Sequence, residues 1–402
     1  MQPLYTQDIL RVHYEGHNIQ SKSFPFSHQH LQENLSKGLS IVGRAVSPRS
    51  TLPVLGNVLL ATDAGRLKLS ATNLEVGINC WIGAKVEEEG AITVPGPTLT
   101  DLVSALPPER VDMELIVRTQ TLNLRAGRSE ANVKGIDAQE FPLVPVPEGE
   151  GGIPVEAEVL REAVEQVAFA AATDESRPIL TGVLAKFEER QLTLAAADGF
   201  RLSVRTIPLP QPVSDPFNII IPSRALVELR RISGEQEDPI VITVTPTRNQ
   251  VLFQLTNIVL VSQLIDGNFP DYRQIIPHDC TTHTVVDTAA LLKACKAALI
   301  FARDAAHISR VHVKPSSELS PGHVVVSATS AETGDDVSEL DGSIEGEEVE
   351  IAFNVRYLID VLSAIRTPQV ALDTTTSSSP GVLRPVGDVD FTHVIMPMHL
   401  GR

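Results

Sequence analysis

The stretch STLPVLGNVLLATDAGRLKLSATNLEVGI at 50–78 opens with hydroxyl residues and a proline, runs through apolar positions broken by glycine, and turns at a polar Asp-Ala-Gly. Leu67 and Leu69 then alternate with polar neighbours, followed by Ala-Thr-Asn and a third apolar segment. A period of two with turn residues between the runs predicts short antiparallel strands. SRPILTGVLAKFEERQLTLAAADGFRLSV at 176–204 repeats the phrase in phase: Pro53 and Pro178 are 125 residues apart, as are Asn73 and Asp198. A weaker third copy, ISRVHVKPSSELSPGHVVVSATSAETGDDVSEL at 308–340, lacks the leading proline and places Ser330 132 residues after Asp198. That period is the size of a small domain and too long for a solenoid repeat.

The period changes to that of a helix twice in each copy. Residues 27–46, 154–172 and 286–303 precede the opening strands, and residues 97–106, 222–233 and 354–366 fall mid-copy. Leu99, Leu102 and Leu106 recur at helical spacing, as do Leu226, Leu229 and Ile232. Ser27, Asp287 and Asn354 are candidate N-caps, and Pro97 and Pro222 suit a first turn. The prediction is an α+β chain of three tandem pseudo-repeated domains, 24–147, 148–278 and 279–402, each with mainly antiparallel sheet and two helices. Residues 1–23 show no periodicity and are expected to form a disordered N-terminal extension.

Composition narrows the choice of function. Aromatics are 4% of 402 residues against 43% apolar overall, so the cores must be built from Val, Leu, Ile and Ala. A net charge of −17 sets most of the surface against phosphate and leaves room only for a local basic region. Cys80, Cys280 and Cys295 form no CxxC and no pair with nearby histidines, so neither a disulfide framework nor a zinc site is expected, and a reducing cytoplasmic setting is. No run of 18 apolar residues and no N-terminal signal-like segment is present. Phosphate-binding, dinucleotide, metalloprotease and nucleophile-elbow motifs are all missing. Asp174 with Glu175, and Gly-Asp-Asp at 334–336, put carboxylates close together, and a hydrolase using Asp174 and Glu175 or an acidic duplicated adhesion or binding protein stand as alternatives to a non-catalytic scaffold. His28 and His30 sit two apart and do not share a helix face, and EGEEVE at 345–350 reads as a solvated turn. No catalytic residue, metal or cofactor is expected.

TLPVLGNVLL, SRPILTGVL, AADGFRL, DGNFPDYRQIIP, FNVRYLIDVL and the terminal VIMPMHL occur in that order from about Phe24 to Leu400. In this set the chain resembles the bacterial DNA polymerase III beta subunits, the sliding clamps. The phrase DAQEFPLVPVP at 137–147 also echoes DGNFPDYRQIIP, and the tail is its third form: Pro142, Pro270 and Pro397 are spaced by 128 and 127 residues. The resemblance implies a DNA-clamp fold and a head-to-tail homodimer closed as a ring around double-stranded DNA. It further implies processivity without catalysis, helices lining the hole, and sheets on the outside.

It also implies sites. Partners (the clamp loader, the replicative polymerase, repair polymerases or ligase) would insert a short apolar peptide into a pocket. That pocket would draw on Leu180, Gly199, Phe200, Arg201, Leu202, Pro270, Gln274, Ile275, Asn354, Tyr357, Val394, Met396, Pro397 and Met398. Branched aliphatics and flexible methionines suit an adaptable apolar groove. Arg44, Arg49, Arg177, Arg224, Lys293 and Lys296 would face DNA, and Ile300 and Phe301 the dimer interface. Lys37, Arg230, Arg231, Arg303, Arg356 and Arg366 add to the helix cations, while the 154–172 helix dissents with Glu156, Glu158, Glu162 and Glu165 against Arg161. Departures from the family pattern are Phe200 for a frequent His, Gln274 for a frequent Arg, His399 for a penultimate Arg, and Gly401–Arg402 beyond the usual terminal Leu.

Overall fold

The computed structural model describes residues 11–13, 31–147, 149, 151–303, 306–317, 321–387 and 389–398. All six expected helices are present: α1 (Leu31–Val42), α2 (Gly96–Ala105), α3 (Ala157–Val167), α4 (Ser223–Ile232), α5 (Thr288–Ala302) and α6 (Val355–Ala364). Each buries one stripe. The buried positions of α5 include Leu291, Ala294, Cys295, Ala298 and Ala302, and those of α6 include Leu358, Val361 and Leu362. Spacings of three and four put them on one face, and each fully buried aliphatic side chain contributes about 1.5–3 kcal/mol. On α2 the buried pair is Leu99 and Val103, and the expected Leu102 is only half-buried. Asp287 caps α5 by accepting from the Ala290 amide at 2.7 Å, and Asn354 caps α6 by accepting from the Arg356 amide at 3.0 Å. Ser27, His28 and His30 lie outside the described residues.

The chain divides into two compact units, Met1–Val155 with Arg231–Gln263, and Glu156–Arg230 with Leu264–Arg402. The residues expected to form a central domain thus contribute to both. Main-chain hydrogen bonds explain this. In the first unit a nine-stranded antiparallel sheet runs on from Val76–Gly83 into Ile258–Gln263. In the second, a twelve-stranded sheet runs on from Arg201–Pro208 into Phe391–Ile395. Sheets that continue across repeat boundaries leave no gap between the repeats they join. A separate five-stranded sheet in the first unit includes Arg11–His13, paired with Lys85–Val86 and Val111–Ile116. These three residues depart from the disorder expected of 1–23; the rest of that extension lies outside the described residues.

The repeated Asn/Asp/Ser turn has one structural cause. Asn73 Oδ1 accepts from the Glu75 and Val76 amides at 3.0 and 2.8 Å, and Asp198 Oδ1 accepts from the Phe200 and Arg201 amides at 2.8 and 3.0 Å. Ser330 Oγ accepts from the Glu332 and Thr333 amides at 3.3 and 3.2 Å. In each copy a short polar side chain closes the turn between two strands.

Candidate functional site

The second unit carries an apolar site built where its strands Arg201–Pro208 and Phe391–Ile395 pair. Leu202 lies directly opposite Val394, and Val394 opposite Val382 on its other side. Leu202 and Val394 are each 1% exposed and pack with Leu184, Ala197, Ile220 and Tyr272. The period of two along a strand carries the same face outward to Phe200 and Met396. There the backbone pairing continues, with the Met396 amide donating to the Phe200 carbonyl at 2.8 Å. Phe200 is 55% exposed, Met396 39% and Ile275 39%, so a buried apolar floor opens onto an exposed apolar rim.

The phrase at 266–277 supplies one wall. Asp271 accepts from the Arg273 amide at 3.3 Å and from Gln274 Nε2 at 3.1 Å, starting the short helix Tyr272–Ile275. That helix buries Tyr272 in the site and leaves Pro270, Gln274 and Ile275 exposed. The tail supplies another. Met396 is held at Phe200, and the Met398 amide donates to the Ala352 carbonyl at 2.8 Å, two residues before the α6 cap Asn354. Pro397 and Met398 are half-buried, as is Leu180, whose carbonyl accepts from the Ala172 amide at 2.8 Å. Gly199 adopts φ +94°, which suits glycine and lets the turn close. His399, Gly401 and Arg402 lie outside the described residues.

Arg201 and Tyr357 do not join Leu202. Adjacent strand residues point to opposite faces, and Arg201 turns to the helix side. Its Nε donates to Asp198 Oδ2 at 3.0 Å, one terminal nitrogen to Asp360 on α6 at 2.6 Å and the other to the Phe169 carbonyl at 2.7 Å. Its guanidinium lies 4.3 Å from the Tyr357 ring centroid. Burial and the Asp198 charge push the Tyr357 phenol up. Behind Leu202, Ser203 faces His393 across the strand pair, Oγ to Nδ1 at 2.6 Å. Burial, then the Arg201 charge, holds His393 down at about 3, so it is neutral. None of this was legible in the sequence, because Arg201 meets a partner 159 residues away.

The expected cation positions divide. Arg224 on α4 and Lys293 and Lys296 on α5 are exposed, as are Arg44 and Arg49. Arg177 is exposed but tied to its turn, donating to the Asp198 carbonyl at 3.0 Å and lying 3.8 Å from Asp174. Glu165 of the acidic α3 is bound by Arg230 and Arg366, each at 2.7 Å. That pairing explains why an acid-rich helix is tolerated among basic ones, and it takes two cations out of the set open to a ligand. Ile300 is 59% exposed and Phe301 half-buried at the end of α5.

Asp174 is a turn residue. The Ser176 hydroxyl and amide donate to its two oxygens at 2.7 and 2.9 Å and hold its carboxyl below the usual range, the reverse of what a general acid needs. Burial pushes the Cys80 and Cys295 thiols up to about 12, so both are inert. Among the described residues no group of His, Cys, Asp and Glu could hold a metal ion, and no helix is long and apolar enough to cross a membrane. A small cleft lined by residues including His278, Cys280, Asp373 and Arg384 shares Val382 with the apolar site.

Solved structures place this architecture in the DNA-clamp class. The DNA polymerase sliding clamp from Bacillus subtilis superimposes with a TM-score of 0.87 at 27% identity, covering 98% of this chain and 100% of that one. The sliding clamp (DNA polymerase III subunit beta) from Pseudomonas aeruginosa, bound to griselimycin, gives 0.83 at 31% identity over 92% and 98%. Family models for the N-terminal, central and C-terminal domains of the DNA polymerase III beta subunit match residues 28–145, 154–271 and 273–399. The beta sliding clamp of Synechococcus elongatus is 35% identical over 372 residues, 92% of this chain and 98% of the relative. The chain belongs to the DNA polymerase III beta subunit family, the beta sliding clamps, and its function is that of a DNA clamp in polymerase processivity.

Proposed function

We propose that two copies close head-to-tail into a ring that encircles duplex DNA in the cytoplasm and performs no chemistry of its own. The observation that carries the ring is a pair of unpaired strand edges. Among the described residues, Ser129–Lys134 bonds on one side only, to Thr121–Ala126. Residues 334–341 of the long strand Gly334–Gly346 likewise bond only to His323–Ser330, because Thr282–Asp287 pairs with 342–346. On that second edge stands Val337, 65% exposed, and a Cβ built on Gly334 would lie 3.9 Å from the Phe301 ring at the end of α5. An exposed edge flanked by apolar side chains is a template for another strand. One edge of each copy meeting the other edge of its partner makes two equivalent contacts and closes the assembly.

In this reading DNA meets Arg44, Arg224, Lys293 and Lys296 on helices and Arg49 and Arg177 on the loops beside them, while the excess of acidic residues lies on the outside. Phosphate contacts of this kind carry no sequence information and permit sliding. The Leu202–Val394 site takes short apolar peptides of the clamp loader, the replicative polymerase, and repair polymerases or ligase, raising their local concentration at the template. The test loads the protein with a clamp loader and ATP onto nicked circular DNA and then cuts the circle. The clamp should leave once an end exists. Equal retention on circular and linear DNA would sink the topological mechanism. The solution mass should be about twice 43.5 kDa, and a strict monomer at micromolar concentration would count against the ring.

A further inference from the structure

We propose that Arg201 is a positioning residue that couples α6 to the mouth of the apolar site by locking the turn against which the C-terminal segment is pinned. The proposal rests on reading that site as the peptide-docking surface. The argument starts from the copy of the turn in the first repeat. Asn73 closes it with the same two backbone hydrogen bonds that Asp198 makes, yet the residue matching Arg201 there is Val76. The turn therefore folds without an arginine, and the additional bonds of Arg201 serve something else.

Those bonds reach three elements. Asp198 belongs to the turn itself, Asp360 to α6, and the Phe169 carbonyl to the short helix Ala168–Ala170 that follows α3. The side chain is 10% exposed, so these groups replace water almost completely. Three donors leave a planar guanidinium in fixed directions, with the Tyr357 ring across its face. A lysine ammonium cannot span the same set. From Arg201 the path to the site is short. Asp198 holds the Phe200 amide, and the Phe200 carbonyl holds the Met396 amide. A displacement of α6 is thus passed to Phe200 and Met396, two of the three exposed apolar residues at the site's mouth. Arg201 touches no bound peptide in this scheme; it sets the rim that does.

The experiment uses the full-length dimer and a fluorescein-labelled peptide, Ser-Leu-Ser-Leu-Phe. Asp360→Ala should weaken peptide binding by about three- to ten-fold and speed hydrogen exchange at the Met396 amide. Arg201→Lys should do the same, and the double variant should be no weaker than Arg201→Lys alone, because both changes break one link. A bridge that merely stabilises the fold would lower the melting temperature without changing Met396 exchange. Parental affinity in both single variants, or fully additive losses in the double variant, would overturn the positioning role. If Met396→Ala also binds the peptide as the parent does, the docking site itself is wrong, so the two failures are distinguishable.

Discussion

Where the first repeat's sheet joins the second's, Gly77 pairs with Val261, and a Cβ built on that glycine would lie 2.7 Å from Val144 Cγ1. Where the second joins the third, the matching residue is Leu202, paired with Val394, and among the described residues nothing covers Phe200, Ile275 or Met396 to the same degree. The first junction is filled by its own Phe-Pro segment: Phe141 and Val144 pack with Val54, Leu55, Leu252, Val259 and Val261. Asn79 fastens that segment through the Val144 and Pro145 carbonyls at 3.4 and 3.2 Å. At the second junction the Phe-Pro segment buries Tyr272 but leaves the rim apolar and open. The helix-side pairs differ as well. Ile78 faces Leu260 in the first, and Ser203 faces His393 in the second. One plan has been closed in one place and left open in the other.

Five substitutions would break or sharpen this contrast. Leu202→Gly imposes the first junction's residue on the second and should cost about 3–5 kcal/mol, read as a fall in thermal midpoint, because no neighbouring side chain fills the space. A loss under about 1 kcal/mol would mean the site collapses and is not a preformed surface. Next comes acid sensitivity. His393 is held at about 3 in the fold against an ordinary 6.5, so between those values the unfolded chain binds a proton that the folded one does not. Stability should therefore fall as pH drops through 6.5 toward 3, by up to about 1.4 kcal/mol per pH unit. His393→Asn should flatten that slope; an unchanged slope would assign it to other groups.

Smaller effects are expected at the first junction. Gly77→Leu should cost about 1–3 kcal/mol by displacing Val144, and Val144→Ala in the same chain should recover part of it. Costs that simply add would show that the two do not compete for one space. Leu74 sits at φ +75° where the second repeat has Gly199 at +94°. Leu74→Gly should raise stability by about 1 kcal/mol by relieving that strain. A drop would mean the Leu74 side chain, 50% exposed, makes contacts that outweigh it.

Local rules carried the fold a long way. Strand and helix periods, the prolines and the polar turn residues located six helices and three turns, because each depends on neighbours within a few residues. The apolar site residues could be named from their resemblance to clamps, but the contacts that hold them could not. Leu202 and Arg201 are adjacent in the chain and opposed in space, and what separates them is Asp360 and the Phe169 carbonyl, 159 and 32 residues away. Glu165 reads as a misplaced acid until Arg230 and Arg366, 65 and 201 residues on, are seen to bind it. The continuation of sheets across repeat boundaries depends on strand edges that no periodicity marks.

The contrast between the junctions is tested most directly by mapping backbone amide shifts of the dimer as a short apolar peptide is added. The perturbed amides should cluster at Phe200, Leu202, Ile275, Val394 and Met396, with Leu74, Gly77 and Val144 silent. Shifts centred on the first junction, or shared equally between the two, would contradict the account.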